Sequence, residues 1–230
     1  FGDMKFISRQ DTLLSYRENL TPLEVRDVAF IKVPNFRSLG YVHRIVRARR
    51  IVKQAVLDSD YVIARLPSSI GKMAAKYAHK YNKPYLIEVV GCAWDASVNT
   101  GSVLGKLLAP YEYLSSRYSI GRAPYTIYVT QQFLQNRYPT KGKSGVCSNV
   151  YLLPSDEPVL RYRIRRIEDN KKLLKFGLIG SLDVKYKGHD TVIRALGVLK
   201  NKIPHFKVEF LGQGDSKQWL PLIKKNLLQE

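Results

Sequence analysis

The sequence is poor in cysteine: Cys92 and Cys147 are the only two thiols in 230 residues. They form no C-x-x-C pair, which argues against a disulfide framework and fits a reducing cytoplasm, with both expected as small buried residues. Histidine is nearly as scarce. The four (His43, His79, His189 and His205) are scattered without metal-ligand spacing, so no metal or cofactor is expected and structural roles are assigned to each. No apolar run approaches the roughly 20 residues needed to span a bilayer, and no secretory signal opens the chain. It begins at Phe1 and reads as a piece cut from something longer.

Acidic residues are the other shortage. Nineteen Asp and Glu face 38 Lys and Arg, a formal charge of +19, with a pI near 9.9. Such a field favours polyanions, among them nucleic acid, anionic lipid and phosphorylated substrates. The bland alternative is a fragment that has lost its acidic segments. The remainder, 45% hydrophobic and 25% charged, is the composition of an ordinary globular protein, large enough for one domain or two small ones.

Chemistry concentrates where apolar runs end on glycine. Leu173 to Ile179 reads as a strand short enough to be buried on both faces, broken at Gly180-Ser181 and followed by a loop bearing Lys185 and Lys187. Val192, Ala195, Leu196 and Leu199 then fall at helical spacing. A second buried strand, Phe206 to Leu211, ends on Gly212-Gln213-Gly214. Strand, loop, helix, strand is a crossover unit of a parallel sheet. Ligands of such sheets collect at the carboxyl ends of the strands. Two lysines beside a glycine loop favour an anion there, most simply a phosphate.

The upstream half carries the same plan. Met4 to Ser8 and Val25 to Val33 read as strands, and Tyr41 to Leu57 as a basic amphipathic helix of the kind that can lie on an anionic membrane. Its plainer reading is a solvated outer face. Asp60 to Leu66 reads as a buried strand with Arg65 at its end pointing into the crevice, and Ser68 or Ser69 as the N-cap of the helix Ile70 to Tyr81. Tyr85 to Val90 is the next strand, ending at Gly91-Cys92-Ala93-Trp94-Asp95. A tryptophan there can stack on a sugar face and a carboxylate can accept from sugar hydroxyls. The plainer reading packs Trp94 under the loop and uses Asp95 as a helix cap. Val103 to Tyr118 reads as a helix, Tyr125 to Thr130 as a strand, Gln131 to Tyr138 as a short helix stopped by Pro139, and Gly145 to Val150 as a last strand. Pro154, Pro158 and the run Arg161 to Arg166 mark a linker.

The ordered set Gly180-Ser181-Leu182, Lys187-Gly188 and Gly212-Gln213-Gly214 resembles the donor half of GT-B glycosyltransferases, in particular the large retaining family four. There the pattern is Gly-Arg-Leu, Lys-Gly and Gly-x-Gly, so Ser181 departs from an arginine on the donor diphosphate. The loop ending Trp94-Asp95 resembles a variant among capsular-polysaccharide transferases, in place of the family's His-Gly, and Ser148-Asn149-Val150 resembles its Asn-Gly-Val passage into the linker. The resemblance implies an α/β, GT-B-like fold. Residues 1–152 would be the acceptor-side Rossmann-like domain, 153–172 the linker, and 173–230 the start of the nucleotide-sugar domain. It implies donor phosphates on Lys187, Lys185, Gly180 and Ser181, and the nucleotide on Gly212, Gln213 and Gly214. Arg65, Cys92, Trp94 and Asp95 would form an acceptor cleft, with Asp95 as the candidate catalytic group. The implied reaction is metal-independent sugar transfer, with retained configuration, from a UDP-linked donor to a surface glycan, capsular or lipopolysaccharide, or a lipid-linked acceptor. The implied setting is the cytoplasm, with an anionic membrane surface as a candidate partner and no nucleic acid. The family's Glu-x7-Glu pair is not among these residues, so no catalytic glutamate is assigned and the piece itself is expected to be inactive. The rivals are a nucleotide-sugar epimerase of the same fold and a non-enzymatic basic module on nucleic acid or membrane.

Overall fold

A computed structural model of the chain describes residues 2–9, 27–36, 39–99, 102–150, 157–169, 173–183, 185–203, 205–226 and 228. The fold is α/β, and every strand pairing is parallel, compatible with a Rossmann-like plan. The chain divides into two compact units, residues 1–96 with 108–150 and residues 97–107 with 151–230.

In the first unit, β1 (Met4–Arg9) pairs with β2 (Val28–Val33) as a two-stranded sheet. The part of the expected Val25 strand before Asp27, and the polar stretch Arg17 to Leu23, lie outside the described residues. A 3-10 turn, Leu39–Arg44, leads into α1 (Ile45–Leu57), so the regular helix starts four residues later than its periodicity suggests. A four-stranded sheet follows in sequential order: β3 (Val62–Leu66), β4 (Tyr85–Val89), β5 (Tyr125–Tyr128) and β6 (Lys143–Val146). The connections carry α2 (Ser69–Lys80), α3 (Ala93–Val98) with α4 (Val103–Gly121), and α5 (Phe133–Arg137). Ser68 is the N-cap of α2, its hydroxyl accepting from the Gly71 N–H at 2.8 Å. That cap satisfies a first-turn donor and fixes where the strand's exit becomes helix.

The register puts Val62, Ala64 and Leu66 beside Tyr85, Ile87 and Val89, and these beside Thr126 and Tyr128. All of them are buried. They form one core with Val52 and Val56 of α1, Ala74, Ala75 and Ala78 of α2, Ile120 of α4 and Leu134 of α5. Burying a Val, Leu or Ile side chain contributes about 1.5–3 kcal/mol, so this face holds the unit together. The opposite face is open: Ile63 is 73% exposed and Tyr125 is exposed. The expectation of a fully buried Asp60 to Leu66 strand is therefore corrected. β3 alternates because helices cover only one side of it among the described residues. Cys147, expected buried, is exposed just beyond β6.

The second unit is built on β7 (Leu173–Ile179), α7 (His189–Leu199) and β8 (His205–Leu211), with β7 and β8 paired over seven residues. Leu182, Ile193 and Trp219 form its core, joined by Phe210, Leu222 and Ile223. Trp219 closes a 3-10 turn (Ser216–Trp219) that leads into α8 (Leu220–Lys225). Burial on both faces of these strands is not observed. Ile179 is 80% exposed and Leu211 is exposed, because the described helices pack on one side only. Within the segment expected as a linker, Glu157–Asp169 is a helix, α6. Leu160, Ile164 and Ile167 recur at helical spacing within and on either side of its arginine run, and from Pro158 on every side chain is exposed.

Candidate functional site

Each unit presents the carboxyl edge of a parallel sheet, and the two edges are built differently. In the first unit β4 runs through Val90-Gly91 into α3, and β5 runs into α5 and Tyr138. Tyr138 is fully buried. Its hydroxyl oxygen accepts from the Ala93 N–H at 2.9 Å and from the Trp94 N–H at 3.4 Å, and lies 3.3 Å from the Cys92 sulfur. With two donors already on the oxygen, the phenol proton is the one directed to sulfur. The Cys92 sulfur in turn accepts from the Asp95 N–H at 3.4 Å. The first three backbone donors of α3 are thus taken by the protein's own side chains, and no anion is needed there. Burial, and the hydrogen bond with the Cys92 thiol, push the Tyr138 phenol up to about 12.

Around this knot the aromatic rings are linked in series. Trp94 meets Tyr113 edge-on at 6.3 Å, and Tyr113 lies 5.4 Å from Tyr138. Arg137 places its guanidinium over the Tyr113 ring at 5.6 Å and over Phe133 at 5.9 Å. Burial works against the Arg137 charge, but Cys92, Tyr138 and Asp95 more than offset it and raise its pKa. Its Nε atom is buried without a hydrogen-bond partner among the described residues. Arg117 donates to the Tyr113 hydroxyl and to the Arg137 carbonyl, both at 3.0 Å, which fixes the Tyr113 ring and the end of α5.

Cys92, Trp94 and Asp95 therefore come together at one edge. Trp94 is half-buried and packed against the core, with part of its surface open. Arg65 is not with them. Directly opposite Glu88 in the sheet register, it pairs with that carboxylate at 3.4 Å on the open sheet face. The expectation that Arg65 points into the crevice is corrected. Side chains of a strand alternate between faces, and residue 65 falls on the face away from the helices. The cation near Asp95 is Arg137, which the sequence reading passed over. The available signal was position: Arg137 and Tyr138 close the helix that leaves β5, the neighbour of β4 in the same parallel sheet.

In the second unit the two glycine loops are bound to each other. The Gly180 N–H donates to the Leu211 carbonyl at 2.9 Å, and the Leu182 N–H to the Gln213 carbonyl at 2.8 Å. A Cβ on Gly212 would lie 2.0 Å from the Gly180 carbonyl oxygen, so the close approach requires glycine. The Asp183 carboxylate accepts from the Asp215 N–H at 2.9 Å, and the Asp215 carboxylate from the Lys217 N–H at 2.8 Å. Trp219 donates its indole N–H to the Leu182 carbonyl at 3.0 Å. Asp183 and Asp215 carry no signal in the sequence beyond following the two glycine loops, and only the pairing of β7 with β8 joins them.

These loops flank the start of α7. Gly188, at φ +88°, is its N-cap, and among the described residues no side chain caps the helix. Lys187 lays its aliphatic stem over Gly180, with the nearest carbon 3.0 Å from where a Cβ would be. Its ammonium group stands over the Tyr186 ring at 5.2 Å and is exposed. Ser181 uses its hydroxyl oxygen to accept from the Asp183 N–H at 3.4 Å. The edge thus gathers Gly180, Ser181, Lys187, Gly212, Gln213 and Gly214. The Lys185 side chain lies outside what is described. His189, the first residue of α7, is buried between Trp219, stacked at 5.2 Å, and the edge of Phe210 at 4.9 Å. Among the described residues no three of His, Cys, Asp and Glu gather closely enough to hold a metal ion.

No family model matches the chain. Among curated proteins, Protein CapJ of Staphylococcus aureus is 40% identical to it over 174 residues, covering 74% of this chain and 42% of that protein. The chain therefore spans less than half the length of the curated relative it matches.

Proposed function

We propose that this chain is part of a GT-B glycosyltransferase that moves a sugar from a nucleotide-sugar, UDP-linked, to a capsular or related surface glycan or its lipid-linked precursor. The two units would be parts of its two Rossmann-like domains, working on the cytoplasmic side of the membrane. The name of CapJ points to capsule synthesis and supplies the biological setting. The chemistry is carried by one observation: the mouth of α7. There an 11-residue helix begins on a left-handed glycine without a side-chain cap, beside a lysine whose ammonium has no carboxylate partner among the described residues. Free N–H groups and the positive end of the helix dipole favour a phosphate at such a place.

In this reading Lys187 and the first turn of α7 hold the donor diphosphate, and Ser181 adds a neutral hydrogen bond. The loop Gly212-Gln213-Gly214 borders the nucleotide. Charge builds on the departing nucleoside diphosphate as the sugar bond breaks, and fixed donors and a lysine stabilise it without reorganising. In the first unit Trp94 supplies a ring face for a sugar, and Asp95, beside the guanidinium of Arg137, an acceptor for its hydroxyls. The reading assigns no metal and no cofactor.

Thermal-shift measurements on the full-length protein test this. A UDP-sugar should raise the melting temperature with a saturable concentration dependence, as a ligand of the folded state must. The reading fails if UDP-, GDP- and CMP-sugars all leave it unmoved.

A further inference from the structure

Helix α1, whose basic amphipathic sequence allows a membrane contact but more plainly a solvated outer face, keeps little apolar surface free. Ala48, Val52, Ala55 and Val56 are buried against the rest of the unit, and α1 shows to solvent Arg47, Arg49, Arg50, Lys53 and Gln54, with Val46 as its one exposed large apolar side chain. Helix α4 has the opposite character. Ala109, Ser116 and Ile120 form its buried side. On its outer side Tyr111, Leu114 and Tyr118, spaced by three and four residues, are 65%, 61% and 63% exposed. A helix apolar on both sides is ordinarily covered on both.

Beside that outer stripe lies a groove of about 560 Å³ between α2 and α4, entirely within the first unit. Arg49, Lys72, Lys76 and Arg122 line it, against Glu112 as its one carboxylate. Glu112 is already held by Lys72. Lys72 also stands over the Tyr111 ring at 5.5 Å and Arg122 over the Tyr118 ring at 5.0 Å, so cations border the apolar stripe. Among the described residues no helix is long and apolar enough to cross a membrane.

We propose that this face docks on an anionic lipid surface. The outer side of α4 enters the boundary between headgroups and acyl chains, and the groove between α2 and α4 seats lipid phosphates. An amphipathic surface with apolar residues inside a rim of cations is what such a boundary selects, and the charge of the rim chooses anionic lipid over neutral lipid. The choice of occupant rests on that charge complementarity. The inference does not depend on sugar transfer, and its test reads binding alone.

Flotation of the full-length protein with vesicles of phosphatidylcholine, alone or mixed with phosphatidylglycerol, decides it. Binding should appear with the mixed vesicles, weaken as salt is added, and disappear when Tyr111→Ser and Leu114→Ser are combined. Arg49→Glu with Lys76→Glu should lower it by roughly tenfold or more. All four side chains are partly or fully exposed away from the core, and unchanged melting curves will show that the variants fold. As a second measurement, Leu114→Trp should shift its emission to the blue on meeting mixed vesicles and not neutral ones. Equal capture by neutral vesicles overturns the proposal. So does binding that ignores the two serines, which would leave the stripe to another segment of the longer protein. A change in molecular mass on introducing the serines would assign the face to a second copy, and also overturns it.

Discussion

The two sheet edges follow one plan, a parallel strand leading through a short loop into a helix, and differ in what meets the helix. At α3 in the first unit, Tyr138 and Cys92 occupy the first-turn donors. At α7 in the second, no side chain caps the helix among the described residues, and Lys187 stands at its start. A helix N-terminus needs partners for its free N–H groups wherever it is shielded from water. When the protein supplies them the edge is a rigid support; when it does not, the edge is free for a ligand. The shared architecture does not distinguish these cases, and the side chains arriving from the neighbouring strand do.

The comparison can be broken most sharply at Gly212. Gly212→Ala would force a Cβ into the Gly180 carbonyl and separate the two glycine loops. A loss at the upper end of about 1–3 kcal/mol is expected, read as a lower urea midpoint for the second unit with the first unaffected. If the glycine loops only mark a turn, the substitution will be silent.

Lys187→Ala separates ligand binding from stability. The melting temperature should hardly move, since the side chain is exposed. Affinity for a nucleoside diphosphate should fall by about 1.5–3 kcal/mol, which is about tenfold to a hundredfold, with the free nucleoside little affected. Titration calorimetry with both ligands on the full-length protein reads the difference. Parallel losses for the two would remove Lys187 from the phosphate site.

Tyr138→Phe tests the closed edge in the opposite sense. Taking away the hydroxyl leaves the Ala93 and Trp94 N–H groups without their acceptor, at a cost of about 1–3 kcal/mol for a buried donor. Its pH dependence has a defined sign. The folded phenol titrates at about 12, above its unfolded value near 10. The stability it contributes is complete below pH 10 and is lost as the pH rises from there towards 12. Tyr85 and Tyr128, also raised by burial, act in the same direction. The quantity to measure is therefore the difference between wild type and Tyr138→Phe across that window. A difference that does not change with pH would mean that the phenol is not held protonated by its surroundings.

The smallest effect belongs to Arg65. Paired with Glu88 on an open sheet face, its side chain 60% exposed, it should contribute no more than about 1 kcal/mol to stability. Arg65→Ala should leave both stability and sugar binding close to wild type, whereas Arg137→Ala should weaken acceptor binding. The reverse ranking would restore Arg65 to the site.

What could be read from the sequence was local. The Ser68 cap of α2 and the β7, α7, β8 unit follow from residue periodicity and from punctuation by serine and glycine. The knot at α3 could not be read this way, because Tyr138 lies 45 residues from Ala93 in sequence and only the parallel order of β4 and β5 brings them together. Arg65 was misplaced for a related reason. Its position in the strand was right, but which face would be open depends on which helices cover the sheet. The arginine run of α6 looked like a linker because its apolar residues are outnumbered, although their spacing is helical.

The two tryptophans are divided evenly, Trp94 in the first unit and Trp219 in the second. Trp94 is half-buried among tyrosines, while Trp219 is 5% exposed, stacked on His189 with its indole N–H held by the Leu182 carbonyl. Each unit thus carries its own intrinsic fluorophore in a different environment. In this chain Trp94→Phe leaves Trp219 as the tryptophan reporter, so loss of the packing that ties it to the first glycine loop through the Leu182 carbonyl can be followed optically without any added dye.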